Sequence, residues 1–209
     1  MIRNAALFVI VLTTIAAVVG AHEGDRKGVQ QEASAQAPTP TASHPLILQE
    51  ADGDQLIHTS GPLAGLPFTI KVDAANGNAQ DFFVFTSTLA PGETIPFHKH
   101  HNAEELIILE EGGATVMVGD RWAVTGPHSI TFVPRDTWIS ATNKGKENIH
   151  TIAIFSRQGF DRYMRSIGAK PGTPLSPVSP DELPHLRALG HATYWDTSKG
   201  PYPPGVAHP

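Results

Sequence analysis

Three side chains in one short stretch have the chemistry of a metal site. His98 and His100 stand two residues apart and Glu105 follows a polar segment, in a run that reads Gly92-x5-His98-x-His100-x4-Glu105-x6-Gly112. Side chains on a β-strand alternate faces, so residues i and i+2 share one. After a tight turn, Glu105 can return to that face on the next strand. Two imidazoles and one carboxylate suit a first-row divalent metal such as Fe, Mn, Zn, Ni or Cu. Positions left open by three protein ligands can take water, dioxygen or an organic molecule. The spacing predicts His98, His100 and Glu105 as metal ligands. Glu105 has a second role open to it, catalytic rather than ligating, as a general base if it stays unbound.

The neighbouring polar residues fit this chemistry less well. His101 and Glu104 read as turn or rim residues, and His101 faces away from the side that His100 takes. His128 sits in a Gly126-Pro127 turn. His150 shares strand parity with Ile152 and Ile154. It approaches the metal if that face points inward, and is a partly solvated residue at a strand entrance otherwise. Other chemistries have no residues to carry them. The chain has no cysteine, hence no thiol nucleophile and no disulfide, and shows no Gly-x-Ser-x-Gly, P-loop or dinucleotide fingerprint. With 15 basic against 20 acidic residues, a net charge of −5, it has no basic stripe for nucleic acid.

The elements that must position the three residues are short and β-like. Among 209 residues, 18 are proline and 19 glycine, which implies many turns. β-Branched and aromatic runs predict strands at Leu46–Leu48, Gln55–His58, Phe68–Val72, Phe82–Leu89, Thr94–His100, Glu105–Glu110, Ala114–Val118, Arg121–Val124, Ser129–Val133, Trp138–Thr142 and Ile149–Phe155. Phe83, Phe85, Phe97 and Phe132 are candidates for an apolar pocket or for plain core. Beyond Arg157 the period changes. Phe160, Tyr163, Met164 and Ile167 follow i, i+3, i+4, i+7, a short amphipathic helix ending at Gly168. A second helix begins near Ser179-Pro180, with Leu183, Leu186 and Leu189 as its stripe and Gly190 as its end. These helices read as padding outside a barrel, with a lid role open to Tyr194 and Trp195.

The Gly92–Gly112 run resembles the first motif of the cupin superfamily, with every fixed position filled. The family's second motif, Pro-x-Gly-x-x-His-x-x-x-Asn, corresponds to Pro134–Asn143, where Asp136 takes the glycine position and Ile139 the position of the last histidine ligand. Residues from about Gln55 to Gly168 resemble the small cupins similar to quercetin dioxygenase. The resemblance implies an all-β fold, a double-stranded β-helix (jelly-roll) barrel with short C-terminal helices. It also implies a metal inside the barrel mouth and pairing into a homodimer.

The first 21 residues have the form of an export signal: Arg3, an apolar run from Ala5 to Gly20, and small residues at Val19-Gly20-Ala21. The expected organisation is a signal peptide over 1–21, a disordered linker over 22–44, a cupin barrel over 45–157, and a helical and Pro-rich extension over 158–209. The mature protein is expected in the periplasm or secreted, with no membrane association after cleavage. Two functions lead, ahead of a structural role in an envelope assembly through the tail after Gly168. One is a metal-dependent, oxygenase-like cupin acting on a small organic molecule. The other is a non-catalytic small-molecule binder whose metal site has degenerated, which Ile139 and Asp136 favour.

Overall fold

Alternation in the strands builds the barrel. The computed structural model describes residues 43–206. The export signal over 1–21 and all but the end of the linker over 22–44 lie outside the described residues. Twelve strands form among those described: β1 (Asp54–His58), β2 (Pro67–Val72), β3 (Phe83–Leu89), β4 (Thr94–His100), β5 (Glu105–Glu111), β6 (Ala114–Val118), β7 (Arg121–Thr125), β8 (Ile130–Val133), β9 (Ile139–Thr142), β10 (Ile149–Phe155), β11 (Gly168–Ala169) and β12 (Ala192–Tyr194). Three α-helices, α1 (Ala74–Gly77), α2 (Phe160–Ser166) and α3 (Leu183–Leu189), and a short 3-10 helix at Thr197–Lys199 accompany them. A seven-stranded sheet runs β11-β1-β2-β3-β10-β5-β8, and a five-stranded one β12-β4-β9-β6-β7. Every pairing is antiparallel. This is the expected jelly roll of two sheets with a few short helices.

Period-two patterning decides what faces inward. Ile149, Thr151 and Ala153 of β10 line the interior, as do Glu105, Ile107 and Leu109 of β5. Their alternates face out, so His150 lies on the outer face, bonded through Nδ1 to Thr88 Oγ1 at 3.1 Å. It does not approach the three candidate ligands. Parity also removes Phe132 from the interior, since it is 53% exposed while Thr131 faces in. Leu46–Leu48 forms no strand; Ile47 is 91% exposed and the segment pairs with no other strand.

Two anchors of the sequence motifs meet at one corner. Gly92 donates its N–H to the Asn143 carbonyl at 2.8 Å, and Asn143 donates its own to the Glu93 carbonyl at 3.0 Å. The buried Asn143 amide donates to the carbonyls of Leu89 and Glu147, both at 2.8 Å, and its Oδ1 accepts from Gly145 N–H. Asn143 thus replaces missing sheet bonds where the chain turns, which is work for a side chain carrying both donors and an acceptor. At Gly112, φ is +81° and an added Cβ would lie 2.6 Å from the Asn148 carbonyl oxygen. Only glycine fits that close turn.

The helices close one side of the barrel. Phe160, Tyr163, Met164 and Ile167 are buried against Phe68, Phe83 and Phe155. Arg165 fixes α2 from outside. Its Nε donates to the buried Asp73 at 2.6 Å and its Nη2 to Asp54 at 2.7 Å. Hydrogen bonds to both carboxylates, that to Asp73 foremost, raise its already high pKa. Asp73 also caps α1, accepting from the N–H groups of Ala75 and Asn76.

Candidate metal centre

β4 carries a β-bulge that aims the two histidines. Ile95 pairs with Ala141 but His98 pairs with Ile139, so β4 holds one residue more than β9 across this interval. Pro96 sits in the bulge, where a residue without an N–H is tolerated. Beyond it, His98 and His100 both face inward and are buried. Glu105 opens β5 directly opposite Val133 of β8 and Phe155 of β10, and is buried as well.

One ligand atom from each of the three lies within 4.8 Å of the others. His100 Nε2 is 3.7 Å from Glu105 Oε2, too long for a hydrogen bond and short enough for one cation to bridge at about 2.0–2.2 Å per bond. His98 Nδ1 lies 2.9 Å from the Pro96 carbonyl. That acceptor places the proton on Nδ1 and leaves the Nε2 lone pair free, the tautomer a metal ligand needs.

The fit of a divalent metal is tested by the state of these atoms. His100 Nδ1, His100 Nε2 and Glu105 Oε2 are buried and have no hydrogen-bond partner. Buried polar atoms are rarely left so, and the exceptions call for an explanation such as an ion. Burial keeps the imidazoles neutral, lowering His98 to about 4 and His100 well below its usual value. Burial also raises Glu105 to about 8. Neutral imidazoles are what a cation requires, and a cation would reverse the Glu105 shift. The donor set therefore fits a divalent transition metal, and His98, His100 and Glu105 are the residues that could hold it.

The second motif departs from the usual ligand set in a definite way. Ile139 is 1% exposed and directly faces His98 across the β4–β9 pair. A hydrocarbon stands where a fourth ligand would project. Asp136 has φ of +57°, so the turn before β9 keeps a left-handed residue without glycine. Its carboxylate points outward to His101. Neither His101, with both nitrogens bonded on the surface, nor the exposed His128 joins the site.

Sequence reading offered Tyr194 a lid role but missed that its strand forms the opposite wall of the site. β12 pairs with β4, placing Ala192 beside His100 and Tyr194 beside His98. The Tyr194 ring stacks on His98 at 5.2 Å between centroids and 17° between planes. Burial, chiefly, keeps its hydroxyl protonated, raising its pKa well above 10. The only signal was a three-residue β-prone run after Gly190, too short to separate from loop. Gly190 is required there, since a Cβ would lie 2.6 Å from Tyr163 Cβ. Among the four phenylalanine candidates, Phe85 alone lines the cavity that opens beside the three residues. That cavity has a volume of about 120 Å³ and an apolar lining that includes Leu63, Ile107, Val116 and Met164. His58 also borders it, its pKa lowered to about 4 by burial.

Residues 85–155 match the family model described as Cupin domain, a span from β3 to the end of β10 that includes all three candidate ligands. No curated protein matches the chain. Among solved structures, a predicted oxalate decarboxylase from Thermotoga maritima aligns with a TM-score of 0.48 at 13% identity, over 54% of this chain and 99% of that one. KdgF from Halomonas sp. aligns with a TM-score of 0.41 at 16% identity, over 46% and 84%. The cupin domain of Schizosaccharomyces pombe Cnp3 aligns with a TM-score of 0.40 at 19% identity, over 51% and 75%.

Proposed function

The chain is a single-domain member of the cupin superfamily, and on that premise we propose that it holds a divalent transition metal at His98, His100 and Glu105 and acts on a small organic molecule in an oxygenase-like reaction. The observation that carries the proposal is the meeting of three buried ligand atoms, with His100 and Glu105 Oε2 lacking any other partner. When bound, a divalent metal supplies Lewis acidity and, for a redox-active ion, access to oxygen chemistry.

The chain's own residues do the rest. His98 and His100 present neutral imidazoles, His98 with its tautomer set by Pro96. Glu105 would hold the cation as a carboxylate; left unbound, it would be the group that exchanges a proton with substrate. Tyr194 backs His98 and keeps a protonated hydroxyl at the site wall. Ile139 and the apolar lining exclude water and leave room for an organic ligand in place of a fourth side chain. Isothermal titration of the full chain with Mn²⁺, Fe²⁺, Zn²⁺, Ni²⁺ and Cu²⁺ tests the reading. One equivalent should bind, and His98→Ala should abolish it. Binding that survives His98→Ala would discard the site.

A second reading has its own observation. Ile139 removes a donor and dries one wall, which favours a barrel that binds without turnover. Substrate turnover that disappears in Glu105→Gln would exclude it. As part of the same proposal, the protein is exported to the periplasm or secreted after removal of residues 1–21. No helix among the described residues is long and apolar enough to cross a membrane. We also propose a homodimer, for which Leu106, Ile130 and Phe132, exposed on the outer face of β5 and β8, offer a surface.

A further inference from the structure

Arg187 occupies the last turn of α3 and borders the cavity beside His98. Its guanidinium carbon sits 4.2 Å over the Tyr194 ring centroid. Its Nε is buried with no hydrogen-bond partner, and the side chain makes no ion pair among the described residues. Arg187 as a whole is half-buried, but a guanidinium N–H closed off from water without an acceptor is costly. The aromatic face of Tyr194 offsets part of that cost but accepts no N–H in the guanidinium plane. The fold spends several features on bringing Arg187 here. Leu186 is buried against α2, and Gly190 lets α3 end in contact with Tyr163.

The charges in the cavity point the same way. Glu105 is the one acid in its lining and Arg187 the one permanent cation. With a dication at His98, His100 and Glu105, one carboxylate faces the ion and the guanidinium together, and two positive charges stay uncompensated. Among the described residues no further acidic side chain lines the cavity, so a ligand anion would answer them. The remaining lining is mostly hydrocarbon, with the His58 ring and Ser and Thr hydroxyls such as those of Ser87 and Thr151, which bond each other at 3.0 Å. It suits an apolar body.

We infer that the cavity takes a small organic acid, its carboxylate held by Arg187 and its apolar body lying along the barrel interior. The inference rests on reading the cavity as the small-molecule site proposed above, and it names the substrate class. A guanidinium binds a carboxylate through parallel N–H donors, so Arg187 also fixes which end of the molecule meets the metal ligands.

The test uses 4-methylpentanoate and the equally shaped but neutral 4-methylpentanamide, titrated calorimetrically into the full chain with and without Zn²⁺. The acid should bind about tenfold or more tightly than the amide. Arg187→Gln should erase that preference and Arg187→Lys should keep part of it. Arg187→Gln should also strengthen Zn²⁺ binding, because a positive charge beside His98 is gone. The Arg187 Nε–H resonance should move downfield on addition of the acid and stay put with the amide. Equal binding of acid and amide by the parent chain, or a preference surviving in Arg187→Gln, overturns the inference. Should Arg187→Gln fail to fold, the parent's acid-to-amide ratio and the Nε–H shift decide the matter. The metal reading fails separately: a chain that binds no Zn²⁺ yet prefers the acid through Arg187 keeps the carboxylate site and loses the metal centre.

Discussion

His100 and His101 are neighbours in the chain with opposite surroundings. His100 turns into the barrel, 2% exposed, with both ring nitrogens unpartnered and its ring packed edge-on against Phe155 and Phe160. His101 turns outward, and both its nitrogens are engaged, Nδ1 with Asp136 Oδ1 at 2.5 Å and Nε2 with Thr193 Oγ1 at 2.7 Å. Each belongs to a trio of polar side chains: His98, His100 and Glu105 from one short stretch, and His101, Asp136 and Thr193 from three separate parts of the chain. Strand alternation alone assigns them to their sides. Residue type does not tell a binding site from a surface clip; unused bonding capacity under burial does.

The largest expected effect separates the two trios directly. His100→Ala should weaken binding of the metal by about 100-fold or more, since even residues that merely support ligands are worth 10–100-fold. His101→Ala should change it by less than about threefold. Chelator-competition titration of both variants checks this. Comparable losses would mean that the outer trio holds the site in shape and that the contrast is false.

Proton linkage sharpens the same contrast in the metal-free chain. Burial holds His58 and His98 to about 4, while unfolded histidine titrates near 6.5. The unfolded chain therefore takes up protons first, and this stability is present above pH 6.5 and lost as pH falls through about 4. Glu105 works in the other direction. Burial raises its folded pKa to about 8 from 4.5, so its contribution is present below 4.5 and lost as pH rises through about 8. Stability should peak near pH 6.5. Glu105→Gln should flatten the decline above the peak, and His58→Gln should shrink the decline below it by on the order of 1–3 kcal/mol. Urea denaturation across pH 4–9 reads both limbs. An alkaline decline that persists in Glu105→Gln would show that Glu105 is not the buried acid responsible.

Much of this was legible before any coordinates. Ten predicted strands reappear within a residue or two, because most are β-branched or aromatic runs between glycine and proline breakers, and the i, i+2 spacing placed His98 and His100 on one face. Glu105 could be assigned because the four residues after it, Leu106 to Leu109, are apolar. What alternation cannot give is which face is inner when both are apolar. His150, Ile152 and Ile154 make as good an inner face in the sequence as Ile149, Thr151 and Ala153, and only the pairing with β3 and β5 decides. Nor could the sequence bring Tyr194 and Arg187 to His98. Their approach depends on α3 packing against α2, a contact between residues distant in the chain with no local periodicity to announce it.

Ile139 offers a way to convert one state of the centre into another. It faces His98 in register and is fully enclosed. Ile139→His should place a third imidazole toward the open side and raise affinity for Ni²⁺ or Zn²⁺ by about tenfold, as chelator competition would show. Without metal the same variant should lose about 1–3 kcal/mol of stability, because a buried hydrocarbon becomes an unpartnered polar ring. An unchanged affinity would place the open side of the centre away from β9.

The smallest effect tests the outer trio at its own weakest point. Asp136 carries φ of +57°, a conformation costing a non-glycine residue about 1–2 kcal/mol, and pairs at the surface with His101 and, at 3.9 Å, with Lys99. Exposed pairs of this kind contribute about 0–1 kcal/mol. Asp136→Gly relieves the backbone and loses the pairs, so the two terms nearly cancel and stability should change by about 1 kcal/mol or less. Asp136→Ala loses the pairs and keeps the backbone cost, so it should be the less stable of the two in urea denaturation. The instructive failure is a large loss in Asp136→Gly accompanied by weaker metal binding. His101 also bonds Thr193, the residue before Tyr194, so that result would mean the surface clip holds β12, and with it the Tyr194 ring, against His98.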